Sequence, residues 1–131
     1  MLVRSLDDEV YKINIGKYVN VKNTNPSKLH VRIREFLKNL YPACIILEEV
    51  YIPSEKIYLD FFIPTLMMCC EGQGQQHSKF TPYFHKNDKR NFYKAKGRDR
   101  NKALFCELND IRLIYFEEKE TEEEWKTKLA Q

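Results

Sequence analysis

Long hydrophobic runs are missing from this chain: no segment approaches the roughly 20 consecutive apolar residues of a membrane-spanning helix. The first residues, Met1-Leu2-Val3-Arg4-Ser5-Leu6-Asp7-Asp8-Glu9, hold no apolar core of a signal peptide. Both absences lead us to expect a cytoplasmic protein with no membrane partner. Cysteine is sparse and unpatterned. Cys44, Cys69, Cys70 and Cys106 make no C-x-x-C pair, which argues against a disulfide framework. A zinc site drawn from Cys69 or Cys70, His77, His85 and Cys106 fits no recognised ligand spacing, so buried thiols acting as small hydrophobes are expected instead. Internal repeats and low-complexity tracts are also absent.

What is present is a chain of 131 residues, 43% hydrophobic, with eight Tyr and eight Phe. That is enough for one folded domain with a real core and too little for two. The net charge of +3 conceals a segregation. Between Lys86 and Lys102 eight basic residues face only Asp88 and Asp99, with Phe92 and Tyr93 set among them. Between Glu117 and Glu124 six Glu face Lys119 alone. A basic block interleaved with aromatics is typical of nucleic-acid surfaces, although a solvated helix face has the same composition. The acidic segment would repel phosphate and is expected to lie away from any phosphate site.

Periodicity gives the elements. Val10 to Ile15 alternates, and with Tyr18 to Val21 it predicts an N-terminal hairpin over about 9–22. Ser27 can cap a helix whose apolar residues recur at Leu29, Ile33, Phe36, Leu37 and Leu40 and which ends before Pro42. Three strands follow: Cys44 to Tyr51, Ile57 to Ile63, and Leu66 to Glu71, the last apolar enough to be central. The long loop from Gly72 to Lys86 has the composition of a functional segment. A polar helix is expected over about 88–108, broken near Gly97, then a strand from Ile111 to Phe116 and an acidic closing helix over about 120–130. The fold class is therefore α/β, an α+β mixed sheet with core order α-β-β-β-α-β over about 27–116.

Asp60 sits in an otherwise apolar strand, and Glu71 ends the next one. A carboxylate in such a place needs a cation, donors or a metal. If a turn at Pro64-Thr65 joins two antiparallel neighbours, Asp60 and Glu71 lie nearly opposite each other. Two facing carboxylates repel unless a cation stands between them, and oxygen ligands favour Mg²⁺ or Mn²⁺. Gln73 follows two residues later on the same face. His77, in a Gly-rich turn behind both acids, is placed for proton transfer near neutral pH. Asp99 and Lys102 share a helix face, the arrangement of an ordinary surface salt bridge.

Leu59-Asp60-Phe61-Phe62-Ile63-Pro64, Glu71-x-Gln73-Gly74-x-Gln76-His77 and Arg98-Asp99-x-x-Lys102 together resemble the nucleases related to the very-short-patch repair endonuclease. Those belong to the PD-(D/E)XK superfamily, as do phage homing endonucleases with an E-D-x-H-D pattern. The resemblance covers about Ser27 to Phe116. It implies a restriction-endonuclease-like core, a bacterial or phage-infected host cell, and metal-dependent hydrolysis of DNA. It makes Asp60 and Glu71 the metal ligands. It puts Gln73 at the position where the superfamily often has Lys, His77 at the catalytic His and Asp99 at the helix-borne acid. Relatives carry a Glu near the start of the first helix. This chain has His30 there, with Glu35 over a turn later, so His30 joins the candidates. Lys86, Lys89, Arg90, Lys94, Arg98, Arg100 and Lys102 would neutralise the DNA backbone. A lone small domain could act as a homodimer or fused to a DNA-recognition domain. Two other readings stand beside the nuclease: a catalytically inactive nucleic-acid-binding module of the same fold, and an interaction protein working through its acidic helix.

Overall fold

The computed structural model describes residues 1–74 and 89–131, with the backbone alone for 89–96. Its elements run β1 (Leu2–Arg4), β2 (Val10–Lys12), α1 (Lys28–Leu40), β3 (Leu47–Ile52), β4 (Ile57–Ile63), β5 (Met68–Gln73), α2 (Lys89–Leu108), β6 (Arg112–Glu117) and α3 (Glu122–Ala130). β3 to β6 form one mixed sheet in the order β3-β4-β5-β6. The first two pairings are antiparallel and β5–β6 is parallel.

Side-chain alternation along β5 sorts the core into two layers. Cys69 packs with Phe105 and Cys106 of α2 and with Val3 and Ile13 of the N-terminal segment. Met68 and Cys70 pack with Ile33 and Leu37 of α1 and Trp125 of α3. The sheet therefore lies between α1 and α3 on one face and α2 with the N-terminal hairpin on the other. The hairpin is tied to the end of α2 by Asn109. Its side chain accepts from Arg4 N at 2.7 Å and donates to Arg4 O at 2.9 Å.

α1 starts where Ser27 Oγ accepts the His30 amide at 3.1 Å, and its apolar stripe faces the second layer. α3 opens with a reciprocal Thr121–Glu124 capping box. Its Trp125 is fully buried, stacked on Phe116 at 4.8 Å and edge-on to Phe36 at 5.3 Å. The Arg32 guanidinium lies 4.1 Å from the Trp125 ring and also holds Glu122.

Several boundaries differ from expectation. The N-terminal hairpin pairs Leu2–Arg4 with Val10–Lys12, while Ile15–Tyr18 forms a 3-10 turn. Val10–Lys12 is one arm, as the alternation implies, but its partner lies upstream, where Val3 brings a buried apolar side chain into the core. β3 begins at Leu47, leaving Cys44 to Ile46 outside the sheet. Pro64–Leu66 turns as a 3-10 segment, and this delays β5 to Met68. α2 continues through Gly97, where an added Cβ would meet nothing. The glycine is merely tolerated there and breaks nothing.

Candidate functional site

The sheet forks at the carboxylates. β4 and β5 pair only from Phe61–Cys70 to Ile63–Met68. Beyond that point β4 continues with β3 down to Ile57–Ile52, and β5 with β6 up to Gln73–Glu117. Asp60 and Glu71 stand at the branch as the next pair in register. Their carboxylates take over the acceptor work that the missing ladder bonds would have done. Glu71 Oε2 accepts the Asp60 amide at 2.6 Å, and Asp60 Oδ2 accepts the Gly72 amide at 3.1 Å.

Glu71 is buried and its other oxygen is ion-paired with the Lys102 ammonium from α2. Burial, and then the charge of Asp60, push the Glu71 carboxyl up to about 7 against the pull of Lys102. For Lys102 burial opposes the charge, but Glu71 outweighs it and holds the ammonium above its ordinary range. Lys102 was expected on the DNA backbone. Its side chain instead points inward, because the buried Glu71 is the stronger attractor.

A second matched feature lies one strand over. In β3–β4 the pairs Glu48–Phe61 and Val50–Leu59 flank an unpaired position, Glu49 opposite Asp60. Glu49 has φ 53°, the left-handed region that a non-glycine residue enters at a cost. Facing changes parity there on both strands. Leu59 belongs to the α2 layer, whereas Phe61 belongs to the α1 layer. The kink turns Glu49 and Asp60 into a cavity of about 470 Å³ at the start of α1, lined also by Ser27, Lys28, His30, Gly72, Gly74 and Glu118. Gly72 permits the close approach of α1, since a Cβ there would sit 3.0 Å from Ile33 Cδ1 and 3.1 Å from Leu29 Cδ2. Burial, and then Asp60, raise the Glu49 carboxyl above its ordinary value.

His30 enters the same cavity. It is 8% exposed, stacked on Phe61 with centroids 4.3 Å apart, and its Nε2 lies 2.8 Å from Glu48 Oε1. Arg34 grips both Glu48 oxygens at 2.8 Å. Burial pushes the Glu48 carboxyl up, but Arg34 and His30 together bring it below its ordinary value.

Thus Asp60 and His30 share the cavity, while Glu71 holds the Asp60 backbone from the α2 side of the sheet. Gln73 closes β5, its backbone accepting from the Glu118 amide at 3.0 Å. Asp99 lies half-buried on α2. Burial and then the charge of Asp99 raise the Tyr115 hydroxyl to about 12. Arg98 and Arg100 are exposed on the same helix. Glu35 is exposed and lines a separate groove with Phe36 and Glu122, away from the fork. His77, His85 and Lys86 lie outside the described residues, as do the side chains of Lys89, Arg90 and Lys94. Cys69 and Cys70 are buried in opposite layers, as small hydrophobes would be. The acidic segment is nearer than expected, because Glu118 reaches the cavity, although Arg32 and Lys128 hold Glu122 and Glu120.

Glu49, Glu48 and Arg34 were not anticipated. The signal for Glu49 was available: mirrored about the Pro53-Ser54-Glu55-Lys56 turn, it falls opposite Asp60, just as Glu71 does about Pro64-Thr65. Among the described residues no group of three or more His, Cys, Asp or Glu forms a ligand set for a metal.

No family model matches this chain, and no solved structure matches it. It is 41% identical over 105 residues to "Uncharacterized protein 307L" of Invertebrate iridescent virus 6, a match that covers 76% of this chain and 47% of that protein. The chain thus spans about half the length of the relative it matches.

Proposed function

We propose that this domain is a metal-dependent endonuclease that hydrolyses DNA phosphodiesters, built on a restriction-endonuclease-like core of the PD-(D/E)XK type. The observation that carries the reading is the fork. It turns Asp60 toward a cavity that also receives Lys28 and the first turn of α1. One cavity then offers negative charge for a cation and a helix N-terminus with a lysine for phosphate oxygens.

The donor set suits Mg²⁺ or Mn²⁺. Such ions are commonly held by one or two carboxylates, with water and substrate phosphate completing the shell, so a lone facing Asp60 with Glu49 adding charge beside it is adequate. When bound there, the ion supplies Lewis-acid stabilisation of the phosphoryl oxygens and makes a bound water more acidic. Glu71, expected as the second ligand, has both oxygens engaged, by Lys102 and by the Asp60 amide. Its work is then to fix the Asp60 backbone and to hold a cation close behind the carboxylates. Arg98 and Arg100, exposed on α2, offer further cations for the DNA backbone.

The inactive binding module is favoured by one specific observation, the neutralisation of Glu71 by Lys102. Cleavage of end-labelled duplex and branched oligonucleotides in Mg²⁺ or Mn²⁺ separates the two. The nuclease reading expects products with wild type, loss in Asp60→Ala, impairment in His77→Ala and none in EDTA. The module expects salt-sensitive binding and no products.

A further inference from the structure

The cavity holds a second functional arrangement that the carboxylates do not explain. Arg34, Glu48 and His30 form a chain running from the side of α1 into the cavity wall. Arg34 donates to both Glu48 oxygens, and Glu48 Oε1 stands 2.8 Å from His30 Nε2. A carboxylate that Arg34 keeps ionised can only accept, so Nε2 must carry the hydrogen. In the neutral ring the other nitrogen carries the lone pair. That atom, Nδ1, is turned toward Glu49, with 4.0 Å to Oε1, and both residues line the cavity beside Asp60. The ring cannot turn freely, because Phe61 stacks on it at 4.3 Å and the His30 amide is fixed by Ser27.

We propose that His30 Nδ1 is the proton acceptor for the attacking water, and that Glu48, braced by Arg34, is the positioning residue that sets its tautomer. This rests on the hydrolytic reading of the cavity. The step balances. As the water oxygen bonds to phosphorus, one of its protons passes to Nδ1. The bond from phosphorus to the leaving ester oxygen breaks, and that oxygen takes a proton from solvent. His30 then returns its proton to solvent. A carboxylate–imidazole pair of this kind fixes orientation and supports the positive ring that forms.

The full chain supplies the test. Long-range ¹H–¹⁵N spectra of histidine-labelled protein should show His30 as a single Nε2–H tautomer, and Glu48→Gln should lose that single state. His30→Gln keeps an N–H donor that can reach Glu48 but has no base at the Nδ1 position. In single-turnover cleavage at saturating protein it should be slower by about 10²–10³-fold, with DNA affinity unchanged and a cooperative unfolding transition retained. Glu48→Gln should slow the same step by about tenfold, within the range for loss of a supporting partner. A His30→Gln protein that cleaves like wild type overturns the inference and leaves the nuclease reading standing. An Nδ1–H tautomer in wild type overturns it whatever the rates. A wild type that cleaves nothing overturns the nuclease reading, and the inference with it.

Discussion

Glu71 accepts the backbone amide of Asp60 at 2.6 Å, so a carboxylate of one strand closes the ladder of its neighbour at the point where the sheet divides. The two acids are not merely near each other. One holds the peptide that carries the other, and the charge of Asp60 in turn raises the Glu71 carboxyl.

That coupling makes stability depend on pH with a definite sign. The folded Glu71 carboxyl, at about 7, binds its proton more tightly than its ordinary value of 4.5 allows in the unfolded chain. Its contribution to stability is therefore full below that ordinary value and is lost as pH rises through about 7. The stability of wild type minus that of Glu71→Gln, measured by urea unfolding, should fall across this window. A flat difference would mean that Glu71 is not shifted upward.

Lys102→Met removes the cation from a buried pair. Stripping one partner from such a pair costs about 3–5 kcal/mol, part of which the orphaned acid recovers by taking a proton. Urea unfolding should show a loss of about 3 kcal/mol at pH 8 and a smaller one at pH 5. Equal losses at both values would assign the effect to packing of the lysine stem.

Glu49 occupies the left-handed region within a strand. Glycine enters that region without cost, so Glu49→Gly should be neutral or stabilising by up to about 1 kcal/mol, while Glu49→Val should destabilise. Any cleavage activity should drop in both, because both remove the carboxylate. Stabilisation bought at the expense of activity would identify stored strain; destabilisation by glycine would deny it.

These positions also show what the sequence could and could not disclose. The core order was readable because α1, β4 and β5 carry clean apolar patterns bounded by Ser27, Pro42 and Pro64. The facing of Asp60 and Glu71 was readable because a short antiparallel connection mirrors residues about its turn. The same mirror about Pro53 to Lys56 would have found Glu49, but its left-handed kink has no local signature, since glutamate has no preference for that region. The inward turn of Lys102 was not legible either. A lysine in a basic helix reads as solvent-facing until the burial of Glu71 on a neighbouring strand is known. The N-terminal pairing failed for a related reason: alternation identifies a strand but not its partner.

Trp125 tests the packing behind the site. It joins α3 to Phe36 of α1 and Phe116 of β6, so Trp125→Ala should cost about 3–5 kcal/mol in urea unfolding. A loss under about 1 kcal/mol would show that α3 contributes little to the core.

The most direct measurement is conversion of supercoiled plasmid to nicked or linear form in Mg²⁺ by wild type and Asp60→Asn, with DNA binding followed in parallel. The account predicts conversion by wild type, abolished by EDTA, and a fall of at least about 100-fold in Asp60→Asn with binding retained. Wild-type protein that binds DNA but leaves the plasmid intact in both Mg²⁺ and Mn²⁺, or Asp60→Asn protein that cuts as fast as wild type, would contradict it.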